Sequence, residues 1–312
     1  RPTNGIADPA FPASGLRIGG YYSARSDLGP TAVVGRLDPS APPAVLVPDA
    51  RGAIVRIETS GANLAVPPSV VWSLPNARFP AIADIDGNGR REVVALQDGA
   101  VVAFGADGPP APLWRTQIFD PLAGFWFYND LLPADAGGDG IDDLFYVFAG
   151  PGFVWHANVL DGPTGRRSWA TDVQWDLAGG WMPPSAADLT GDDRADLIVS
   201  WGRVTALDGA SGAVAVDSTE ATIYAMPLVA DFTGDAAPEV YVHGGHNAAR
   251  LVDARLQVLW TAMPDRPTTG SFATVALCGT GRVAVGGAFL SAGLWSFDGS
   301  SGVEQAHAVL AG

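Results

Sequence analysis

One segment of this chain recurs, and its period restricts the fold more than any other property. Phe79-Pro80-Ala81-Ile82-Ala83-Asp84-Ile85-Asp86-Gly87-Asn88-Gly89-Arg90-Arg91-Glu92-Val93-Val94 reappears from Leu132 to Phe145, from Ser185 to Val199 and from Leu228 to Val242. The leading acids, Asp84, Asp135, Asp188 and Asp231, stand 51, 53 and 43 positions apart. Two faded copies flank them. Val33–Asp38 leads into Pro43–Val47, with Arg36 in the place of the first Asp, and Thr274–Gly279 leads into Arg282–Val285. Both keep the hydrophobic pattern and lose the carboxylates.

Each unit reads as four short strands. A small-residue strand enters the Asp loop and a Val/Leu-rich strand leaves it. A third apolar strand follows, as in Ala100–Phe104 or Val204–Leu207, and then an Asp-Gly turn. The last strand often carries a Trp: Trp72, Trp114, Trp169, Trp260. Four strands per roughly 45–50 residues is the period of a propeller blade. One such sheet cannot cover both of its faces alone, so neighbours must do so. The expected fold is all-β, a β-propeller of four-stranded antiparallel blades near 30–75, 76–120, 121–175, 176–220, 221–266 and 267–312. That makes six blades, or seven if residues 1–29 supply part of another; otherwise those residues supply a closing strand. The Trp residues are expected to fill the wedges between sheets.

Composition agrees and excludes several functions. With 39 Gly and 25 Pro, turns must be frequent, and 47% hydrophobic content argues against extended disorder. All 18 basic residues are Arg, which removes a P-loop lysine and Schiff-base chemistry. A net charge of −15 makes nucleic acid an unsuitable partner. Cys278 stands alone, so no intramolecular disulfide forms. No apolar run is long enough to span a membrane. No signal peptide is visible and the chain starts at Arg1, which reads as a processed or trimmed product of a secreted, cell-surface or periplasmic protein.

Counting the first Asp as position 1, oxygen-bearing side chains fall at positions 1, 5 and 9 of every loop. Loop one offers Asp84, Asp86, Asn88 and Glu92; loop two offers Asp135, Asp139 and Asp143, with Gly137 at position 3. Loop three offers Asp188, Thr190, Asp192 and Asp196, and loop four Asp231, Thr233, Asp235 and Glu239. Alternate spacing turns successive side chains inward, where the position-7 carbonyls of Arg90, Ile141, Arg194 and Ala237 can join them. Such hard oxygen donors suit Ca²⁺, up to four ions in all. No His or Cys lies in any loop, so zinc is a poor candidate. An EF-hand fails because position 12 of loop one is Ala95 and a strand replaces the second helix. The rival to a metal is a turn network in which the Asp residues cap backbone amides.

The pattern Asp-x-Asp-x-Asn-Gly-x-x-Glu at Asp84–Glu92, after Phe79-Pro80 and before a Val-rich strand, resembles FG-GAP/VCBS repeats. These occur in integrin α heads and in secreted bacterial proteins. The resemblance implies calcium held by side chains at positions 1, 3, 5 and 9. Gly137, Thr190 and Thr233 depart from it at position 3, and position-6 Gly survives only as Gly89 and Gly140. Loop one therefore ranks first, followed by two, four and three.

Seven residues before position 1, three units carry an aromatic: Tyr128, Trp181 and Tyr224, with Trp126 close by. Such residues could line one face for a protein or glycan partner, or else pack between blades. No nucleophile elbow, His-Glu-x-x-His or dinucleotide fingerprint is present. The reading is therefore a calcium-binding extracellular module for adhesion, binding or scaffolding. The alternative is an enzyme on the same scaffold, a polysaccharide lyase or a quinone-dependent dehydrogenase, since the Asp-Gly turn and Trp strand also look like quinoprotein repeats.

Overall fold

The structure, a computed structural model, describes residues 33–48, 53–58, 69–109, 111–118, 126–127, 131–149, 155–173, 184–200, 202–222, 227–243, 249–262, 273–277, 282–287 and 293–309. Every regular element among them is a β-strand, and they pair into six antiparallel sheets.

The first sheet comprises β1 (Val33–Gly35), β2 (Ala44–Pro48), β3 (Ile54–Glu58) and β4 (Ser69–Leu74), and the second β5 (Ala77–Ala83), β6 (Glu92–Gln97), β7 (Ala100–Phe104) and β8 (Trp114–Gln117). The third holds β10 (Leu132–Ala134), β11 (Asp143–Ala149), β12 (Trp155–Leu160) and β13 (Arg167–Val173), with a short β9 (Trp126–Phe127) also paired to β11. The fourth is β14 (Ser185–Ala187), β15 (Asp196–Ser200), β16 (Gly202–Leu207) and β17 (Val214–Thr222). The fifth is β18 (Leu228–Ala230), β19 (Glu239–His243), β20 (Ala249–Val252) and β21 (Val258–Ala262); the sixth is β22 (Ala273–Leu277), β23 (Arg282–Gly287), β24 (Gly293–Asp298) and β25 (Glu304–Val309). Apart from β9, the strands of each sheet pair in chain order, a meander of hairpins.

Burial explains why sequential hairpins are stable here. β6 and β7 are buried along almost their whole length, which only a sheet covered on both faces allows. The outermost strand β8 alternates exposed and half-buried residues instead. The β6–β7 turn is the two-residue Asp98-Gly99, both with positive φ, which matches the twist of the hairpin. No helix among the described residues is long and apolar enough to cross a membrane.

The chain divides into two compact units. One is Arg1–Leu122 with Gly162–Arg166; the other is Ala123–Asp161 with Arg167–Gly312. The first has a core of Val33, Leu37, Leu46, Ile54, Val93, Val102 and Phe104. In the second, β10 lies against β14 and β14 against β18, so the first strands of successive sheets adjoin.

The tryptophans do more than fill wedges. Trp169 Nε1 donates to Gly209 O at 2.6 Å and Trp260 Nε1 to Gly299 O at 2.7 Å. Within the first unit, Trp114 Nε1 donates to Gly162 O at 2.8 Å. Each indole is clasped by the Asp-Gly-x-x-Gly turn that follows the third strand of the next sheet. The second glycine of each turn (Gly165, Gly212, Gly302) has positive φ, and a Cβ added there would lie only 2.4–2.6 Å from the ring. A Cβ added at Gly108 would likewise lie 2.4 Å from the Trp72 indole, but the carbonyl of Ala106 accepts from Arg56 Nη1 instead, at 3.1 Å. The turn there is one residue shorter.

Tyr241 and Phe145 occupy equivalent positions, each paired to the first residue of its inner strand and 6.3 and 6.2 Å from Trp260 and Trp169. The Tyr241 hydroxyl is fully buried without a hydrogen bond among the described residues, and burial pushes its pKa far above the usual phenol range. An unsatisfied buried hydroxyl costs about 1 kcal/mol or more. Tyr241→Phe is therefore expected to raise the melting temperature by about 2 °C, read by thermal denaturation; a lower value would show that the hydroxyl is satisfied.

Candidate metal centre

The Asp loops connect the first and second strands of sheets two to five, and one ladder geometry places all four. The residue before position 1 pairs with position 9 in every case: Ala83 with Glu92, Ala134 with Asp143, Ala187 with Asp196 and Ala230 with Glu239. Position 2 is a buried apolar anchor: Ile85, Ala136, Leu189 and Phe232 are at most 4% exposed. Position 4 is glycine with positive φ throughout (Gly87, Gly138, Gly191, Gly234). Position 6 takes the same left-handed conformation as Gly89, Gly140, Asp193 and Ala236. Two left-handed residues flanking position 5 curl the loop and bring its amides toward the first Asp. The invariant position-4 glycine is visible in the sequence, yet a reading centred on the carboxylates passes over it.

Backbone amides occupy part of each carboxylate. Asp135 accepts from the N–H groups of Gly138, Asp139 and Gly140, at 2.6, 3.1 and 2.8 Å. Asp188 accepts from Gly191, Asp192 and Asp193, and Asp231 from Gly234 and Ala236. In loop one Gly89 N–H donates to Asp84 Oδ2 at 2.9 Å. Position 5 accepts from position 7: Arg90 N–H to Asn88, Ile141 to Asp139, Arg194 to Asp192 and Ala237 to Asp235. Position 9 reaches back to position 2 or 3, as in Ile85 N–H to Glu92 and Gly137 N–H to Asp143. The capping network is therefore real in all four loops.

A second property separates the loops. Among the described residues, Asp84, Asp86 and Glu92 each bring a carboxylate oxygen within 4.8 Å of the others, and so do Asp231, Asp235 and Glu239. The trios of loops two and three are not gathered in this way. Loops one and four both carry Glu at position 9, while two and three carry Asp. The extra methylene lets one carboxylate cap the buried amides and still reach the other two acids. Loop four thus gathers its acids and loop two does not, although sequence ranks loop two higher.

The electrostatics of loop one suit a cation. Glu92 is pushed up to about 7 by burial first and then by the charge of Asp86, with Asp84 adding to it. Three carboxylates this close repel, and a divalent ion among them relieves the repulsion. All donors are oxygen, the chemistry of a Ca²⁺ site. In loop four Thr233 Oγ1 donates to Glu239 Oε1 at 2.8 Å, so its proton faces the carboxylate. In loop three Asp196 is wholly buried, and burial raises its pKa against the pull of the Leu189 and Thr190 amides.

Of the aromatic residues expected at a partner face, Trp126 begins β9, and Tyr128, Trp181 and Tyr224 lie outside the described residues.

No protein-family model matches the chain, and no curated protein matches it in sequence. Solved structures do. The chain is similar to BamB from Moraxella catarrhalis, with TM-score 0.58, 14% identity and coverage of 96% of this chain and 91% of that one. It is similar to a rhamnogalacturonan lyase from Bacillus licheniformis, with TM-score 0.58, 14% identity and coverage of 94% and 61%. A lectin from Agrocybe aegerita that recognises non-reducing terminal N-acetylglucosamine gives TM-score 0.56, 17% identity and coverage of 89% and 79%. These neighbours are β-propellers, enzymes and non-enzymes alike, and the likeness shows that the chain has the β-propeller fold.

Proposed function

We propose that the chain is a six-bladed propeller of FG-GAP/VCBS type that binds calcium in its Asp loops and serves as an extracellular binding module for a protein or glycan. The observation that carries the calcium reading is the convergence of three carboxylates in two separate repeats, at positions 1, 3 and 9 of loop one and positions 1, 5 and 9 of loop four. In loop one Asp84, Asp86, Asn88 and Glu92 supply side-chain oxygens and Arg90 its carbonyl. In loop four Asp231, Asp235 and Glu239 do so, with the Ala237 carbonyl and the oxygen of Thr233. Loops two and three hold the same backbone frame and are the weaker sites. The binding role draws on the fold, which the lectin shares, and on the aromatic residues Trp126, Tyr128, Trp181 and Tyr224.

The test is calcium itself. After exhaustive chelation, titration calorimetry is expected to count at least two ions per chain. Restoring calcium at a thousandfold excess over Kd should add about 4 kcal/mol per site to the folded state, seen as a rise in melting temperature. Asp84→Ala should remove one ion and Asp231→Ala another, with the β-sheet circular dichroism unchanged. Chelation without any change in melting temperature, together with no calcium by elemental analysis, would overturn the reading. For the binding role, a glycan or protein array positive only with calcium supports it. A bound quinone chromophore or cleavage of acidic polysaccharides would replace it with the enzyme reading.

A further inference from the structure

The first sheet carries a fifth loop at the same place in the ladder, with Pro39 and Ala41 in place of the left-handed residues at positions 4 and 6, and an arginine stands where its leading acid would be. Gly35 pairs with Ala44, as Ala83 pairs with Glu92, so Arg36 holds position 1 and Ala44 position 9. Leu37, at position 2, is 3% exposed, the same buried anchor as in loops one to four. Asp38 and Ser40 retain oxygens at positions 3 and 5. Across the loop, Arg36 Nη1 donates to the position-6 carbonyl of Ala41 at 2.6 Å. Asp38 accepts from both the amide and the hydroxyl of Ser40, at 2.8 and 2.6 Å, and Arg90 Nε lies 3.7 Å from its other oxygen. The loop is joined to loop one by the Arg91 N–H bond to Leu37 O at 2.7 Å.

We infer that Arg36 is a resident cation: its guanidinium closes this loop in place of a metal ion, and Arg90, from the neighbouring loop, neutralises the one acid that remains. Two of the three carboxylates that would call for a divalent ion are gone, and a fixed positive charge occupies the vacated position 1. The first repeat then keeps its loop closed whether or not calcium is present, and metal dependence begins at the second sheet. This contrast rests on the calcium reading of loop one, but the role of Arg36 does not.

Hydrogen–deuterium exchange of the full chain, with calcium and with excess chelator, tests both parts separately. Peptides covering 33–48 are expected to exchange equally in the two conditions, while those covering 81–96 exchange faster in chelator. Arg36→Ala should speed exchange at the Ser40 and Ala41 amides about fivefold to tenfold in both conditions, the loss of a hydrogen bond from a charged donor, whereas Arg36→Lys should restore part of the protection. Arg36 is exposed, so the variant keeps its fold, which circular dichroism checks. Unchanged exchange at Ser40 and Ala41 in Arg36→Ala would overturn the inference, as would chelator sensitivity of 33–48 equal to that of 81–96. Indifference of 81–96 to chelator would instead count against calcium in loop one, and leave the Arg36→Ala result to decide the arginine's role.

Discussion

Gly209→Ala is expected to lower the stability of the fold by about 2–4 kcal/mol, a fall of roughly 4–8 °C in melting temperature. A Cβ at this position would lie 2.0 Å from Ala195 O, 3.0 Å from Ala195 C and 3.4 Å from Ala136 Cα, all of them backbone. No flexible side chain can yield. Nor can the turn retreat, because it is held from two more directions. Its amide donates to Asp196 Oδ1 at 3.3 Å and its carbonyl accepts from Trp169 Nε1 at 2.6 Å. Shifting the turn to admit a methyl group breaks the indole clasp, about 1 kcal/mol, on top of overpacking worth about 1–3 kcal/mol. Gly191→Ala is the control. Its φ is +79° but nothing lies within 4 Å of the added Cβ, so only the left-handed conformation resists, at about 1 kcal/mol. Denaturant unfolding of the two variants should separate them by about 1–3 kcal/mol; equal values would mean that the turn at Gly209 moves freely.

Much of this fold is legible in the chain, and the reason is repetition. Four strands per unit follow from a Val-rich run, an apolar run and an Asp-Gly turn recurring in register, as at Val93, Ala100 and Asp107. A single copy would have been ambiguous between a calcium loop and an ordinary turn. The clasp is less legible. Sequence shows Trp169 and the Asp208-Gly209 turn as separate signals, and only the packing of neighbouring sheets joins an indole to a carbonyl forty residues away. The quality of the candidate sites is legible only with hindsight. Loops two and four each offer three carboxylates, and the position-6 glycine, Gly140, ranks loop two above loop four. What separates them is reach. Position 9 caps loop amides in both: Glu239 caps the buried Phe232 N–H and still reaches the other two acids, whereas Asp143, shorter by one methylene, caps Gly137 N–H and does not. The first faded copy shows the converse: Arg36 reads as the loss of a site, while the strand pairing and the buried anchor Leu37 beside it are kept.

That division of labour at position 9 has a measurable consequence in loop three, where Asp196→Ala is expected to cost about 3–4 kcal/mol in the absence of any metal. Its Oδ2 accepts from the Leu189 and Thr190 amides, both at 3.0 Å, and its Oδ1 from Gly209 at 3.3 Å. The bonds from Leu189 and Gly209 are buried, so no water replaces them, and each stranded amide costs about 1–3 kcal/mol. Asp196→Asn should fall between, since an amide side chain accepts on one side only and turns an N–H donor against the other. Asp192→Ala should stay within about 1 kcal/mol, because this carboxylate is exposed and accepts from the Arg194 amide at a site that water can reach. If the carboxylates served metal alone, chelator would abolish the difference between Asp196→Ala and Asp192→Ala. The hydrogen bonds require the opposite, a gap of about 2–3 kcal/mol that survives chelation. Calcium, where it binds, then acts on a frame that the position-9 carboxylate has already fixed through its hydrogen bonds to the loop amides.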